Sequence, residues 1–379
     1  MLLKETELKQ NAAAYADQQK NISSVAPQIF LNRKKEIFSD YELATRRAAY
    51  YRWKSTESLD KLLIAFEANA IKAGIKVLWA VDVAQAHLEL NAVVNKFQQS
   101  KIHIHTSYNE LETEKLNQPS VNNTKNKISI CDAIFVAAEP AVVACLSDKN
   151  FYESDVKILL ASVDKLISSV NELELLMSLQ SLQKSNSGES FSLITSAGHN
   201  SQRQDVYVLI FDNGRSKLLE SQTERQMLHC IDCGICQVVC PVTESIGITG
   251  GNENNYGPPS YIRAVFDGGQ REYGHYAGLC NMCGKCNVHC PVHIDFKNSF
   301  LHLRHENVQQ KHRSQKERLF YMVWRKTMLK REFMNWKTVN PLRYAVETLF
   351  LKSKTGIRKL PEPATKSFNQ MWRDKMGMK

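Results

Sequence analysis

The chain has 379 residues, enough for two or three domains of ordinary size. Hydrophobic residues make up 43% and charged residues 23%, proportions that fit a folded globular protein and exclude a disordered or fibrous one. The N-terminal MLLKETELKQ lacks the basic start and apolar run of a signal peptide, and no stretch reaches the roughly 18 apolar residues of a membrane span. We therefore expect a cytoplasmic protein.

The first part of the chain is predicted to be helical. Residues 1–75 contain few Gly or Pro, and apolar residues recur there at spacings of three and four, as in Leu59, Leu62, Leu63, Phe66 and Ala70. The pattern then becomes a strand at 77–81 (VLWAV), a helix capped by Asp82, and an alternating strand at 101–108 (KIHIHTSY).

Four later apolar runs predict further strands, at 133–138, 156–162, 190–196 and 205–211. A helix is predicted from Val163 to Leu182, and the polar segments 111–127 and 183–190 are typical of surface loops. Strands that alternate with helices predict an α/β fold with a largely parallel sheet. Strand patterns stop after Asn213-Gly214, so we predict an α/β domain at 1–215, a cysteine-containing domain at 216–300 and a basic helical tail at 301–379.

The formal net charge of +10 is concentrated in that tail. Residues 301–379 carry 19 Lys and Arg against 6 Asp and Glu, a net charge of +13, and the rest of the chain has a net charge of −3. One helical face of residues 317–336 is apolar and contains Leu319, Met322, Val323, Leu329, Phe333 and Trp336. A nucleic-acid phosphate backbone gains nothing from contact with an apolar face, so we do not expect this tail to bind nucleic acid. We expect its apolar face to pack on its own domain, to bind a protein partner or to contact a membrane surface.

Ten cysteines divide into two kinds. Cys131 and Cys145 lie in the apolar stretch CDAIFVAAEPAVVACLS and are expected to be small buried residues. The other eight form two runs of identical spacing, Cys-x2-Cys-x2-Cys-x3-Cys-Pro, at Cys230, Cys233, Cys236 and Cys240 and at Cys280, Cys283, Cys286 and Cys290. In a reducing cytoplasm such runs indicate metal binding rather than disulfides.

This spacing is typical of two [4Fe–4S] clusters, and in two-cluster bacterial ferredoxins the fourth cysteine of each run binds the other cluster. The first cluster is therefore predicted to bind Cys230, Cys233, Cys236 and Cys290. The second is predicted to bind Cys280, Cys283, Cys286 and Cys240. Zinc is the alternative, although structural zinc usually takes its ligands from two separated pairs. The 39 residues between Cys240 and Cys280 resemble the spacing in the α-helical ferredoxin modules of succinate dehydrogenase and heterodisulfide reductase subunits, so helices are expected here.

Two charged residues lie inside the ligand loops, Asp232 in the first and Lys285 in the second. A negative charge beside a cluster disfavours the added electron and a positive charge favours it. These residues predict that the second cluster is the easier to reduce.

Motifs for other cofactors are absent from the sequence: it contains no G-x-G-x-x-G, no G-x-x-x-x-G-K-[ST] and no H-E-x-x-H. We predict no catalytic residue. The chain is interpreted as an electron-transfer subunit whose substrate is oxidised elsewhere. The alternative is a non-catalytic redox-sensing or structural iron–sulfur protein.

Several segments resemble the LutB/LldF family of lactate-utilisation iron–sulfur proteins. They are DNGRSKLLES at 212–221, HCIDCGICQVVCPV at 229–242, FEANAIKAGIKVLWAVDVAQA at 66–86, GPP at 257–259 and LPEPATKSFNQMWR at 360–373. The resemblance implies an N-terminal LUD domain of the NagB/RpiA/CoA-transferase-like fold, followed by an all-α ferredoxin domain. It also implies work with a CCG-domain protein and a second LUD-domain protein in oxidising L-lactate to pyruvate. The LUD domain is shortened, because only the polar loop 111–127 stands where the family has a long central piece.

Overall fold

The protein is described from a computed structural model that covers residues 33–34, 36–97, 100–106, 126–182, 190–196, 205–242, 257–312, 315–329 and 368–377, with the single residues 108, 111 and 116. The chain divides into two compact units, Met1–Gln310 and Lys311–Lys379. Within the described residues, no helix is both long enough and apolar enough to cross a membrane.

Helices of the first unit are α1 (Tyr41–Glu57), α2 (Leu59–Lys72), α3 (Val83–Lys96), α4 (Lys149–Tyr152), α5 (Leu173–Gln180), α6 (Ile235–Val238), α7 (Pro258–Gly268), α8 (Gln270–Tyr273), α9 (His275–Leu279), α10 (Lys285–His289) and α11 (Phe296–Gln309). The second unit contains α12 (Gln315–Met328) and α13 (Phe368–Met376). The strands are β1 (Lys76–Ala80), β2 (Ser100–His105), β3 (Asn126–Glu139), β4 (Val142–Ser147), β5 (Val156–Ser162), β6 (Leu166–Ser169), β7 (Ser190–Ile194) and β8 (Asp205–Phe211).

The eight strands form one sheet in the order β1-β8-β5-β3-β4-β7, and β2 and β6 also pair with β3. The long strand β3 runs parallel to β2 and β5 along its first half. Along its second half it pairs antiparallel with β4 and parallel with β6. Five of the seven strand pairs are parallel, so the predicted largely parallel α/β sheet is confirmed.

Local signals in the sequence place several of these elements correctly. The apolar face predicted for α2 is buried at Leu59, Leu62, Phe66 and Ala70. Asp82 caps α3 through its carboxylate, which accepts the Gln85 backbone N–H at 2.8 Å. Cys131 and Cys145 are buried in strands, as expected. The predicted loops 111–127 and 183–190 lie almost wholly outside the described residues.

The helix predicted from Val163 to Leu182 is wrong in its first half. A single 3₁₀ turn at Val163–Lys165 leads into β6, a second turn follows at Val170–Glu172, and α5 begins only at Leu173. Leu166 and Ile167 of β6 pair with Val136 and Ala137 of β3. Pairing with β3 buries these two side chains fully, and tertiary contact thereby outweighs local helical periodicity.

One apolar core joins the sheet to the cysteine-containing region. It includes Phe135 of β3 and Leu176 of α5 together with Leu228, Ile262 of α7 and Phe300 of α11. After β8, the described residues form only α-helices, 3₁₀ helices and turns. The cysteine runs are therefore packed against the α/β layer within one compact unit.

Candidate functional site

Both cysteine runs have the same backbone. Asp232 and Met282, each two residues after the first cysteine of its run, have positive φ, and Gly234 and Gly284 follow in left-handed conformations at the starts of α6 and α10. Each loop directs a backbone N–H to a sulfur: Asp232 N–H donates to Cys230 Sγ and Met282 N–H donates to Cys280 Sγ, both at 3.4 Å. A non-glycine residue with positive φ costs free energy. The same costly conformation at the same place in both runs indicates that this turn is needed to position the cysteines.

Cys290 of the second run lies with the first three cysteines of the first run. It belongs to the same buried core cluster as Cys230 and Cys236. Burial raises the pKa of the Cys233 thiol, and the neighbouring Cys290 raises it further. Burial also raises the pKa of Cys236, with Cys233, Cys230, Cys290 and, after them, Cys286 of the second run adding to the effect. These four thiols therefore lie within electrostatic reach of one another.

A cavity beside the first group is lined by the other four cysteines, Cys240, Cys280, Cys283 and Cys286. Its remaining wall is mostly apolar and includes Val242, Pro258, Tyr261, Tyr276, Leu279 and Phe300. Four thiols around an apolar cavity are the donor set that a [4Fe–4S] cluster requires. Cys283 is exposed, whereas Cys230, Cys236 and Cys290 of the first group are buried, so the two sites differ in their access to solvent.

The Gly-Pro-Pro segment at 257–259 lies against Cys236 of the first group. Gly257 has φ +132°, a conformation that residues with a side chain rarely adopt, and Pro258 and Pro259 open α7. A Cβ atom on Gly257 would lie 3.3 Å from Gln237 Cβ and 3.7 Å from Cys236 Sγ. The glycine therefore allows the start of α7 to approach the α6 ligand closely.

Asp164 is the centre of a buried network of ion pairs next to the first cysteine group. Its side chain is fully buried, and its two oxygens lie 2.8 Å from Arg215 Nε and 3.2 Å from Arg263 Nη2. Burial raises the pKa of the Asp164 carboxyl, but Arg215, Arg263 and Lys165 outweigh burial and hold the pKa at about 2. Asp164 is therefore ionised at neutral pH, and the network ties β5–β6 to α7.

Asp232 joins this network directly beside a ligand. One of its oxygens lies 3.3 Å from Cys230 Sγ and 3.6 Å from Arg263 Nη1, and the other accepts a hydrogen bond from Lys165 Nζ. Burial lowers the pKa of the Lys165 ammonium, but Asp232 and Asp164 reverse the shift and raise it. Lys165 is therefore charged, and Asp232 is not the lone negative charge that the sequence suggested.

Arg52 of α1 is a second connection between the two regions. It is 1% exposed, and its guanidinium donates to the backbone carbonyls of Leu166 at 3.0 Å, His229 at 3.1 Å and Leu228 at 2.6 Å, and also to that of Asp164. Residues 228 and 229 directly precede Cys230. One buried side chain thereby positions the first ligand loop against the β5–β6 connection.

The sequence analysis missed Arg52, Lys165, Asp164 and Arg263 as residues of the site. It did single out DNGRS, whose Arg215 reaches Asp164, and whose Asp212 accepts from the Ser216 N–H and hydroxyl, each at 2.7 Å. This motif is therefore connected to the site through the Arg215–Asp164 ion pair.

Comparisons with known proteins agree with this geometry. A family model described as a 4Fe-4S dicluster domain matches residues 226–294, which contain all eight motif cysteines. Lactate utilization protein B of Oceanobacillus iheyensis is 24% identical over 280 residues, covering 65% of this chain and 56% of that protein. The protein of the same name from Bacillus cereus is 27% identical over 237 residues, covering 58% of this chain and 49% of that one. This chain is related to lactate utilization protein B.

The chain spans about half the length of these relatives. A crystal structure of a DUF162 family protein from Deinococcus radiodurans also matches, with 11% identity and a TM-score of 0.30 over 41% of this chain and 98% of that one. A TM-score this low carries no argument about the fold. The dicluster match supports the iron–sulfur assignment that the cysteine motifs predicted.

Proposed function

We propose that this chain is the iron–sulfur electron-transfer subunit of a complex that oxidises L-lactate to pyruvate. The names of its relatives support the lactate assignment, and the dicluster match supports [4Fe–4S] cofactors. When bound, such clusters accept and release electrons one at a time. Its partners would be a CCG-domain protein and a second LUD-domain protein, and lactate would bind in a partner.

Ligand exchange between the two cysteine runs is part of this proposal. The first cluster is held by Cys230, Cys233, Cys236 and Cys290, and the second by Cys280, Cys283, Cys286 and Cys240. The observation that carries it is the position of Cys240, which lines one cavity with the first three cysteines of the second run. The fold of this region would be an all-α ferredoxin domain next to a shortened LUD domain.

Iron and sulfide analysis tests the cofactor. We expect about eight iron and eight acid-labile sulfide per chain after anaerobic purification, since each [4Fe–4S] cluster contains four of each. Zinc without sulfide would refute the proposal.

Reciprocal variants test the ligand exchange. Cys240→Ala should disturb the EPR signal of the second cluster and Cys290→Ala that of the first, with Cys145→Ala as a matched control at a buried cysteine outside both motifs. The signals are assigned beforehand with Cys233→Ala and Cys283→Ala. If Cys240→Ala disturbs only the signal that Cys233→Ala removes, the ligands do not cross.

Co-expression with the genes adjacent to its own tests the complex. We expect the CCG-domain and LUD-domain proteins to co-purify with this chain, and lactate to reduce the clusters only in the assembled complex. The chain alone should oxidise no lactate. Clusters that no lactate-dependent partner reduces would favour a redox-sensing or structural protein instead.

The basic tail is proposed to contribute a protein-docking helix. Leu319, Met322 and Val323 of α12 are each more than half exposed within the second unit, whereas the predicted face residues Phe333 and Trp336 lie outside the described residues. An apolar helical face fits a groove on a protein better than a phosphate backbone. Tight DNA binding with a steep dependence on salt would contradict this.

A further inference from the structure

The electrostatic environment of the first cysteine group is dominated by cations, contrary to what Asp232 alone suggested. Lys165 and Arg263 both pair with this carboxylate, and Arg263 also reaches Asp164. Arg215 and Arg52 complete the set. The six side chains comprise four cations and two carboxylates, a net charge of +2.

Most of these charges are shielded from water. Exposed fractions of the side chains are 8% for Lys165, 13% for Arg263, 14% for Arg215 and 0% for Asp164, and Asp232 is the most accessible at 39%. Asp267, a further acidic residue near Arg215 and Arg263, is exposed. A charge in a poorly solvated interior acts over a longer distance than one that water and salt screen. Only one carboxylate, that of Asp164, is as buried as the four cations, so positive charge outweighs negative charge in the poorly solvated interior beside the first cysteine group.

The second site lacks a comparable buried set among the described residues. Lys285 lies between two of its ligands but is exposed, and Arg304, which donates to the Cys280 carbonyl, is only half-buried. The sequence predicted a difference in reduction potential from Asp232 and Lys285. That prediction loses its basis, since Lys165 and Arg263 balance the negative charge of Asp232 and water screens the positive charge of Lys285.

We propose that Lys165 and Arg263 raise the reduction potential of the cluster held by Cys230, Cys233, Cys236 and Cys290. Reduction adds one electron to that cluster, and nearby positive charge stabilises the more negative product. Lys165 comes from the β5–β6 connection, so the α/β region would set the potential of a cofactor that it does not ligate. The inference rests on the proposed clusters.

A redox titration followed by EPR, on anaerobically purified full-length protein, tests this. At the wild-type midpoint, Lys165→Gln should lower the ratio of reduced to oxidised first cluster at least tenfold, a shift of about 59 mV for one electron, and leave the second cluster unchanged. Asp232→Asn should shift the first cluster in the opposite direction. The double variant Lys165→Gln/Asp232→Asn removes one charge of each sign and should return the midpoint towards the wild-type value.

The double variant separates charge from structural damage, because loosening of the loop would not be reversed by a second loss of contact. Lys101→Gln, at an exposed lysine of β2, is the matched control. If Lys165→Gln does not fold, Asp232→Asn carries the test by itself, and an unchanged midpoint there overturns the inference. Two intact clusters whose potentials do not move would refute only this inference, whereas a wild type without clusters would refute the proposed function as well.

Discussion

Replacing Arg52 with methionine should destabilise the protein severely. The side chain is 1% exposed, and its guanidinium donates four hydrogen bonds to the backbone carbonyls of Asp164, Leu166, Leu228 and His229. Methionine keeps an unbranched chain of similar length and a similar helix propensity, so α1 itself is preserved. The substitution thereby isolates the loss of the bonds that hold the first ligand loop to the sheet.

The expected loss follows from the number and burial of these bonds. A hydrogen bond to a charged donor contributes about 1.5–3 kcal/mol, and a buried carbonyl left without a partner costs about 1–3 kcal/mol. Four such bonds on one group are not additive, so we expect a total loss of about 3–5 kcal/mol. Since domains are stable by only about 5–15 kcal/mol, this is a large fraction of the whole.

Urea unfolding followed by circular dichroism, under anaerobic conditions and at equal iron content, measures the loss. The control is Arg46→Met on the same helix, whose side chain is 69% exposed and pairs with Glu42. A surface pair of this kind contributes about 0.3–0.5 kcal/mol, so the control should barely move the midpoint. If Arg52→Met loses less than about 1 kcal/mol, or no more than the control, Arg52 does not connect the two regions in the way argued.

Two further predictions concern residues next to the ligands. Gly257→Ala should lower the iron content per chain, because a φ of +132° is strained for alanine and the new Cβ would lie close to Cys236. The control is Gly278→Ala, which should retain the full iron content because a Cβ there meets no atom within 4 Å. Burial, followed by Arg52 and Arg225, lowers the pKa of His229 to about 4 from an ordinary 6.5. Between pH 6.5 and 4 the unfolded chain therefore protonates His229 while the folded protein keeps it neutral. As the pH falls through that window, the free energy of unfolding should decrease by up to about 1.4 kcal/mol per pH unit. Urea midpoints at pH 7 and 5.5 should show a smaller fall in His229→Gln, and an identical fall would contradict the assignment.

Short-range patterns in the sequence account for much of this protein. Identical spacing in the two cysteine runs predicted the dicluster match, because the first three cysteines of each run lie on one short loop whose backbone conformation repeats at Asp232 and Met282. Apolar runs likewise predicted β5 and β8, since a buried parallel strand is apolar along most of its length.

Tertiary structure decided what depends on distant residues. Leu166 and Ile167 became a strand only because β3 offered an edge. Arg52, Lys165 and Arg263 are separated by about a hundred residues each, and no local pattern marks them as neighbours of one another or of Asp232. The sequence by itself therefore identified the eight motif cysteines that lie within the dicluster match. The charge around the first cysteine group was decided by packing, because the effect of an ionised side chain depends on its partners from other elements and on the exclusion of water.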